Sequence, residues 1–102
     1  MAKVWMITGA SSGIGQTLSQ ALLNAGEKVA GTFRNEEQAR AFTQQSDNSL
    51  GVIMDVTNAE QIGQGVQQIV NQWSTIDVLV NNAGFGIVGG IEEVLMEEAR
   101  QV

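Results

Sequence analysis

The 102-residue sequence contains no cysteine, no histidine, no proline and no tyrosine. Without cysteine there is no disulfide frame and no thiolate zinc site. Without histidine the commonest general base of enzyme sites is missing. No apolar run approaches the roughly 20 residues that a membrane-crossing helix needs. Lys3 is followed by a short apolar stretch and then at once by a Gly/Ser loop, which is not the pattern of a secretory leader. These absences predict a soluble, cytoplasmic protein of a reducing compartment, with no membrane partner.

Positive charge is scarce as well. Residues 1–50 balance Lys3, Lys28, Arg34 and Arg40 against Glu27, Glu36, Glu37 and Asp47. Residues 51–102 set Arg100 alone against Asp55, Glu60, Asp77, Glu92, Glu93, Glu97 and Glu98, so the net charge of -6 resides in the second half. Such a surface repels a phosphate backbone, which argues against a nucleic-acid partner. Any anionic ligand has to be held by local donors. The acidic residues themselves read as a solvated face.

What is present is the material of one globular domain. The hydrophobic fraction is 43% and the charged fraction 16%, a balance that builds a core rather than a disordered chain. Val4-Trp5-Met6-Ile7 reads as a buried strand running into the turn Thr8-Gly9-Ala10-Ser11-Ser12-Gly13. Ile14, Leu18, Ala21, Leu22 and Ala25 recur at helical spacing, and Gly26 is placed to stop that helix. A second strand is predicted over 28–33. Asn35, with Gln38 three residues on, opens a second helix through about residue 45. A third strand follows over 50–54. Thr57 and Glu60 have the spacing of a capping box, and Ile62, Val66, Ile69, Val70 and Trp73 form the helical stripe behind it. Gly63 and Gly65 are expected to loosen its first turn. A fourth strand is predicted over 76–80, a four-glycine loop over 81–90, and an amphipathic helix from Ile91 to the chain end. Strands that are apolar throughout are covered on both faces. The βαβαβαβα order therefore implies an α/β fold, a parallel sheet with helices on each side and right-handed crossovers.

The loop after the first strand carries the chemistry. Gly9 lets the chain turn sharply off the strand. Gly13 offers no side chain to keep a diphosphate from the backbone, and Gly15 lets the helix pack close to the sheet. The helix N-terminus then presents N–H groups and partial positive charge to phosphates. Glycines also serve ordinary tight turns, but this loop follows a strand and opens a helix, the context that supports ligand binding. Asp55-Val56 at the end of the third strand fits a plain turn carboxylate as well as a ligand contact. Asn81-Asn82 fits a strand closed by side-chain hydrogen bonds.

Taken together, Thr8-Gly9-Ala10-Ser11-Ser12-Gly13-Ile14-Gly15, Asp55-Val56 and Asn81-Asn82-Ala83-Gly84 resemble the short-chain dehydrogenase/reductase family, in its order and at its spacing. The resemblance implies a Rossmann-type doubly wound parallel sheet, here about four strands in the order 3-2-1-4, and a nicotinamide dinucleotide as partner. By matching position, Gly9, Ser11, Ser12, Gly13, Ile14 and Gly15 lie by the coenzyme. Asp55 and Val56 lie by its adenine. Asn82, Ala83 and Gly84, following Asn81, lie by its ribose and stabilise the central strand.

The end of the second strand bears on which dinucleotide. A carboxylate there would hold a free ribose diol and repel a 2′-phosphate. The sequence has Phe33, which cannot hold a diol, and then Arg34 and Asn35. The planar guanidinium of Arg34 suits a phosphate, so NADP(H) is expected over NAD(H), although Arg34 also fits a solvated surface residue.

In this family a Tyr, a Lys four residues after it and a nearby Ser and Asn move the proton. No tyrosine is present, so no catalytic residue is nominated and the 102 residues alone are expected to be inactive. Residues 1–102 therefore read as a dinucleotide-binding segment, the N-terminal part of a longer single-domain oxidoreductase acting on a carbonyl or alcohol. The other reading is a non-catalytic dinucleotide-binding or sensing module. An exposed fourth-strand edge and the final helix suggest self-association, and the family suggests an oligomeric parent.

Overall fold

A computed structural model describes residues 2–11 and 13–82. Ser12, Ala83, Gly84, the rest of the predicted glycine loop and the predicted last helix lie outside the described residues.

The apolar runs become four strands, β1 (Val4–Ile7), β2 (Lys28–Phe33), β3 (Ser49–Ile53) and β4 (Val78–Val80). Between them lie three helices, α1 (Gly13–Asn24), α2 (Glu36–Thr43) and α3 (Ala59–Trp73). All strand pairs are parallel and the order is β3-β2-β1-β4. This is the Rossmann-type arrangement that the resemblance implies. Strand β2 falls on its expected residues, β3 begins and ends one residue earlier, and β4 is shorter by two residues at its start.

Each face of the sheet has its own core. On one face Met6, Ala30, Val52 and Met54 pack under Ile62, Val66 and Ile69 of α3. On the other, Ile7, Val29 and Phe33 pack under Ala39 and Phe42 of α2, with Leu18, Leu22 and Leu23 of α1 alongside. Strands covered on both faces leave no room for polar alternation, which is why the runs read as continuous. Asp77 does more than solvate the surface: its carboxylate accepts the Val4 N–H at 2.8 Å and so fixes the start of β1 against β4.

Three local expectations change. The stripe of α1 is rotated from the one expected: Ile14 is 77% exposed, and Ala21 and Ala25 also face solvent. Gly15 and Ser19 are the buried positions. The small residues face the sheet because they permit the closest approach, and a residue one position away is turned by about 100°. The cap of α3 is Asn58, not Thr57, and its side chain accepts the Gln61 N–H at 3.1 Å. The Thr57 hydroxyl donates instead to Asp55 Oδ1 at 2.7 Å, and a carboxylate is the stronger acceptor. Finally, α3 runs unbroken through both glycines: Gly65 lies where a side chain would collide with Met54, so its cost in helix propensity accompanies close packing.

Helix α1 ends as expected at Gly26, whose φ is +84°. The Glu27 N–H bonds the Leu22 carbonyl at 3.0 Å and the Gly26 N–H the Leu23 carbonyl at 3.1 Å, the paired bonds of a Schellman closure. Opposite outcomes follow for two glycines that both face open space. Gly26→Ala should lower unfolding free energy by about 1–2 kcal/mol, the cost of a left-handed alanine. Gly63→Ala, in a helix interior with ordinary backbone, should raise it by about 0.5–1 kcal/mol. Urea unfolding of the two variants checks both signs.

Candidate functional site

Parallel strands bring their carboxyl ends to one edge of the sheet, and the expected site residues gather there. Gly9 follows β1, Arg34 follows β2, Asp55 lies two residues past β3 and Asn82 two residues past β4. The order β3-β2-β1-β4 reverses direction at β1, so the crevice beside the β1 turn is the topological switch point of the sheet.

The register explains how the turn is held. Ile7 pairs with Gly31 on one side and Val80 on the other, which puts Thr8 between Thr32 and Asn81. Thr8 is fully buried. Its hydroxyl donates to Asn81 Oδ1 at 3.1 Å and accepts the Asn82 N–H at 2.9 Å. The Asn82 side-chain amide donates to the Gly9 carbonyl at 3.1 Å. From the other side, Thr32 Oγ1 accepts the Gly9 N–H at 3.0 Å and the Thr32 carbonyl accepts the Ala10 N–H at 3.1 Å. The turn is thus tied to both neighbouring strands. Thr8 and Thr32 hold it as much as Asn82 does, although neither was singled out from sequence; the available signal was a hydroxyl at the end of an otherwise apolar strand.

The three loop glycines have three different grounds. Gly9 has φ +66°, which turns the chain off β1. A methyl on Gly15 would sit 2.6 Å from the Gly9 carbonyl oxygen and 2.7 Å from Asn82 Nδ2, so its glycine is a packing requirement. Gly13 has neither reason among the described residues: a methyl there would meet none of their atoms within 4 Å. Gly13 opens α1, whose first turn carries no acidic side chain, and it is flanked by the exposed Ile14. Ser11 is exposed on the same turn. With Ala10, Phe33, Gln38 and Phe42, Ser11 lines a cavity of about 180 Å³ between α1 and α2. Phe33 is buried, its ring 5.4 Å from that of Phe42.

Beyond Phe33 the chain brings two expected residues into contact. The Met54 N–H donates to the Phe33 carbonyl at 2.9 Å, which sets the residues that follow side by side. Arg34 Nη2 lies 3.2 Å from Asp55 Oδ2, with the side chains 78% and 34% exposed. Asp55 Oδ1 accepts both the Thr57 hydroxyl at 2.7 Å and the Thr57 N–H at 3.0 Å. Those two bonds, with the attraction of Arg34, hold the Asp55 carboxyl below its ordinary range. Asn35 is committed to its helix: Oδ1 accepts the Gln38 N–H at 3.1 Å and caps α2. Val56 is half-buried and packs at the margin of the α3-side core.

The chain is similar to known proteins over nearly its whole length. The short chain dehydrogenase family model matches residues 3–102. A 3-ketodihydrosphingosine reductase of Bacteroides thetaiotaomicron is 38% identical over 94% of the chain and 34% of its own length. A 3-oxoacyl-(acyl-carrier-protein) reductase of Vibrio cholerae is 41% identical over 80% of the chain and 34% of its own length. The chain therefore spans about a third of these relatives. The crystal structure of a short-chain dehydrogenase from Streptomyces avermitilis superposes with a TM-score of 0.85 at 28% identity, covering 99% of this chain and 46% of that one. A glycine turn tied between the first, second and fourth strands, at the point where the strand order reverses, is found in a chain that belongs to the short-chain dehydrogenase family.

Proposed function

We propose that this chain holds the coenzyme of an NADP-dependent short-chain oxidoreductase that moves a hydride between nicotinamide and a carbonyl or alcohol carbon. The carrying observation is Gly13. Among the described residues neither backbone conformation nor packing calls for a glycine there, whereas a diphosphate approaching the start of α1 would. The open space beside it and the absence of an acidic side chain in the first turn fit such an anion.

In this reading Gly9, Ser11, Ser12, Gly13, Ile14 and Gly15 form the diphosphate turn. Gly13 and the α1 N-terminus bind, Ile14 shields the turn from water, and Gly15 with Asn82 keeps the turn in shape. Asp55 and Val56 flank the adenine, and Asn82, Ala83 and Gly84 flank the ribose. Arg34, with Asn35 fixing the start of α2, meets the 2′-phosphate, where Phe33 removes the carboxylate that a free diol would need. The bound nicotinamide supplies or takes up the hydride. No residue here moves the proton: the family's donor is a Tyr, and this sequence has none. The printed names of the relatives, both reductases of keto compounds, support the carbonyl class of substrate. A homo-oligomeric, cytoplasmic parent belongs to the same proposal. The described residues hold no helix long and apolar enough to cross a membrane.

Two titrations test it. NADPH binding, followed by calorimetry and by energy transfer from Trp5 or Trp73, should saturate. Gly13→Ala should leave thermal unfolding unchanged yet weaken NADPH and NADH alike, on the order of tenfold, because the methyl faces only the ligand's space. Equal affinity in wild type and variant would remove the diphosphate from this turn. Arg34→Ala should weaken NADPH by about tenfold, the low end for charge-assisted bonds because Arg34 is exposed, and leave NADH unchanged.

A further inference from the structure

The 2′-phosphate reading rests on one cation, and that cation already has an anion. Arg34 Nη2 is 3.2 Å from Asp55 Oδ2. The carboxylate is not a wandering partner. Its other oxygen is fixed by two bonds from Thr57, and its backbone N–H is bound by Gln61 Oε1 at 2.7 Å, so the turn after β3 presents it to Arg34. Strand pairing brings the two backbones together, through the Met54 N–H bond to the Phe33 carbonyl.

The surroundings add little positive charge. Among the described residues the remaining cations are Lys3 and Lys28, at the opposite ends of the strands, and Arg40, which pairs with Glu36 at 3.2 Å. Glu36 and Glu37 occupy the first turn of α2, directly after Arg34 and Asn35. A dianionic phosphate brought to Arg34 therefore meets a guanidinium half-neutralised by Asp55 with further carboxylates close by. A ligand with a free 2′-hydroxyl meets no such opposition.

The geometry points to Asp55 as a specificity-determining residue: it competes with the 2′-phosphate for Arg34 and so holds down the preference for NADP(H) over NAD(H). This rests on the coenzyme reading above and sharpens it. The site accepts both dinucleotides with a modest preference for the phosphorylated one. Asp55 acts through Arg34, and its effect is distinct from any contact with the adenine. An adenine contact serves both coenzymes equally and cancels in the ratio of their affinities. Competition for Arg34 appears in that ratio alone.

Asp55→Asn is the matched test, because the amide oxygen can still accept from Thr57 while the charge is gone. Dissociation constants for NADPH and NADH are measured by calorimetry on wild type, Asp55→Asn, Arg34→Ala and the double variant, with thermal unfolding confirming that each is folded. The expected result is that Asp55→Asn raises the NADPH-over-NADH preference by about two- to fivefold, the scale of one exposed ion pair. In the Arg34→Ala background the same change should leave the ratio where it was. An unchanged or lowered ratio in Asp55→Asn, with Arg34→Ala still weakening NADPH, overturns the competition and leaves the coenzyme reading standing. A ratio that rises equally with and without Arg34 makes Asp55 a simple repulsive charge and also overturns it. If Arg34→Ala does not affect NADPH, the 2′-phosphate assignment fails, and the competition fails with it.

Discussion

The hydroxyl of Thr8 is the joint on which the carboxyl edge of this sheet depends. It is fully buried, and it satisfies a donor from one residue and an acceptor from the next, Asn82 N and Asn81 Oδ1. Strand β4 is only three residues long and half-exposed, with Leu79 and Val80 packed at the margins of the two cores. A buried hydroxyl with both functions met fixes position where packing cannot, since leaving either group unmet would cost roughly 1–3 kcal/mol. From that joint the Asn82 amide reaches the Gly9 carbonyl, and Gly15 fits beneath both only because it lacks a side chain. The shape of the glycine turn is thus a property of three strands as well as of its own glycines.

This explains what could be read from the residues alone and what could not. The strands were legible because apolar runs covered on both faces have no competing pattern, and β2 was read to the residue. The stop at Gly26 and the cap at Asn35 were legible because their bonds close within a few residues. The α3 cap was misread because Thr57 and Asn58 both fit the local rule, and the choice was made by Asp55, which draws the Thr57 hydroxyl away. The α1 stripe is legible in part: Leu18 and Leu22 pack on the core as their spacing predicts, while close packing turns Gly15 and Ser19 to the sheet and leaves Ile14 outside. The roles of Thr8 and Thr32 depend on partners 73 and 23 residues distant. Nothing local marks such a pair until the strand order is known. The Arg34–Asp55 contact is of the same kind: two residues read separately, joined by the pairing of β2 with β3.

The resemblance and the structure carry different parts of the reading. The three motifs carry the resemblance to the family, and that resemblance implies the strand order which the sheet shows. It could not say which glycine answers to packing and which to a ligand. That distinction needs coordinates, because it turns on what a missing methyl would touch. A methyl on Gly15 would strike the turn it supports; one on Gly13 would strike nothing among the described residues. A motif treats the two alike, while physical chemistry assigns one to the fold and leaves the other to be explained by what binds.

In the proposed reading, an acidic chain that holds an anionic coenzyme has to localise its attraction. The net charge of -6 provides no favourable field, so binding must come from groups at short range. Backbone amides at a helix N-terminus would meet that need without adding a formal charge, and the turn before them is set by the side chains of Thr8, Thr32 and Asn82. The proposed adenosine end would be built differently. An exposed guanidinium and a carboxylate stand past the ends of two paired strands, the carboxylate held by Thr57. In the proposed reading the diphosphate end therefore depends on main-chain donors braced by buried side chains, and discrimination between coenzymes depends on surface charge.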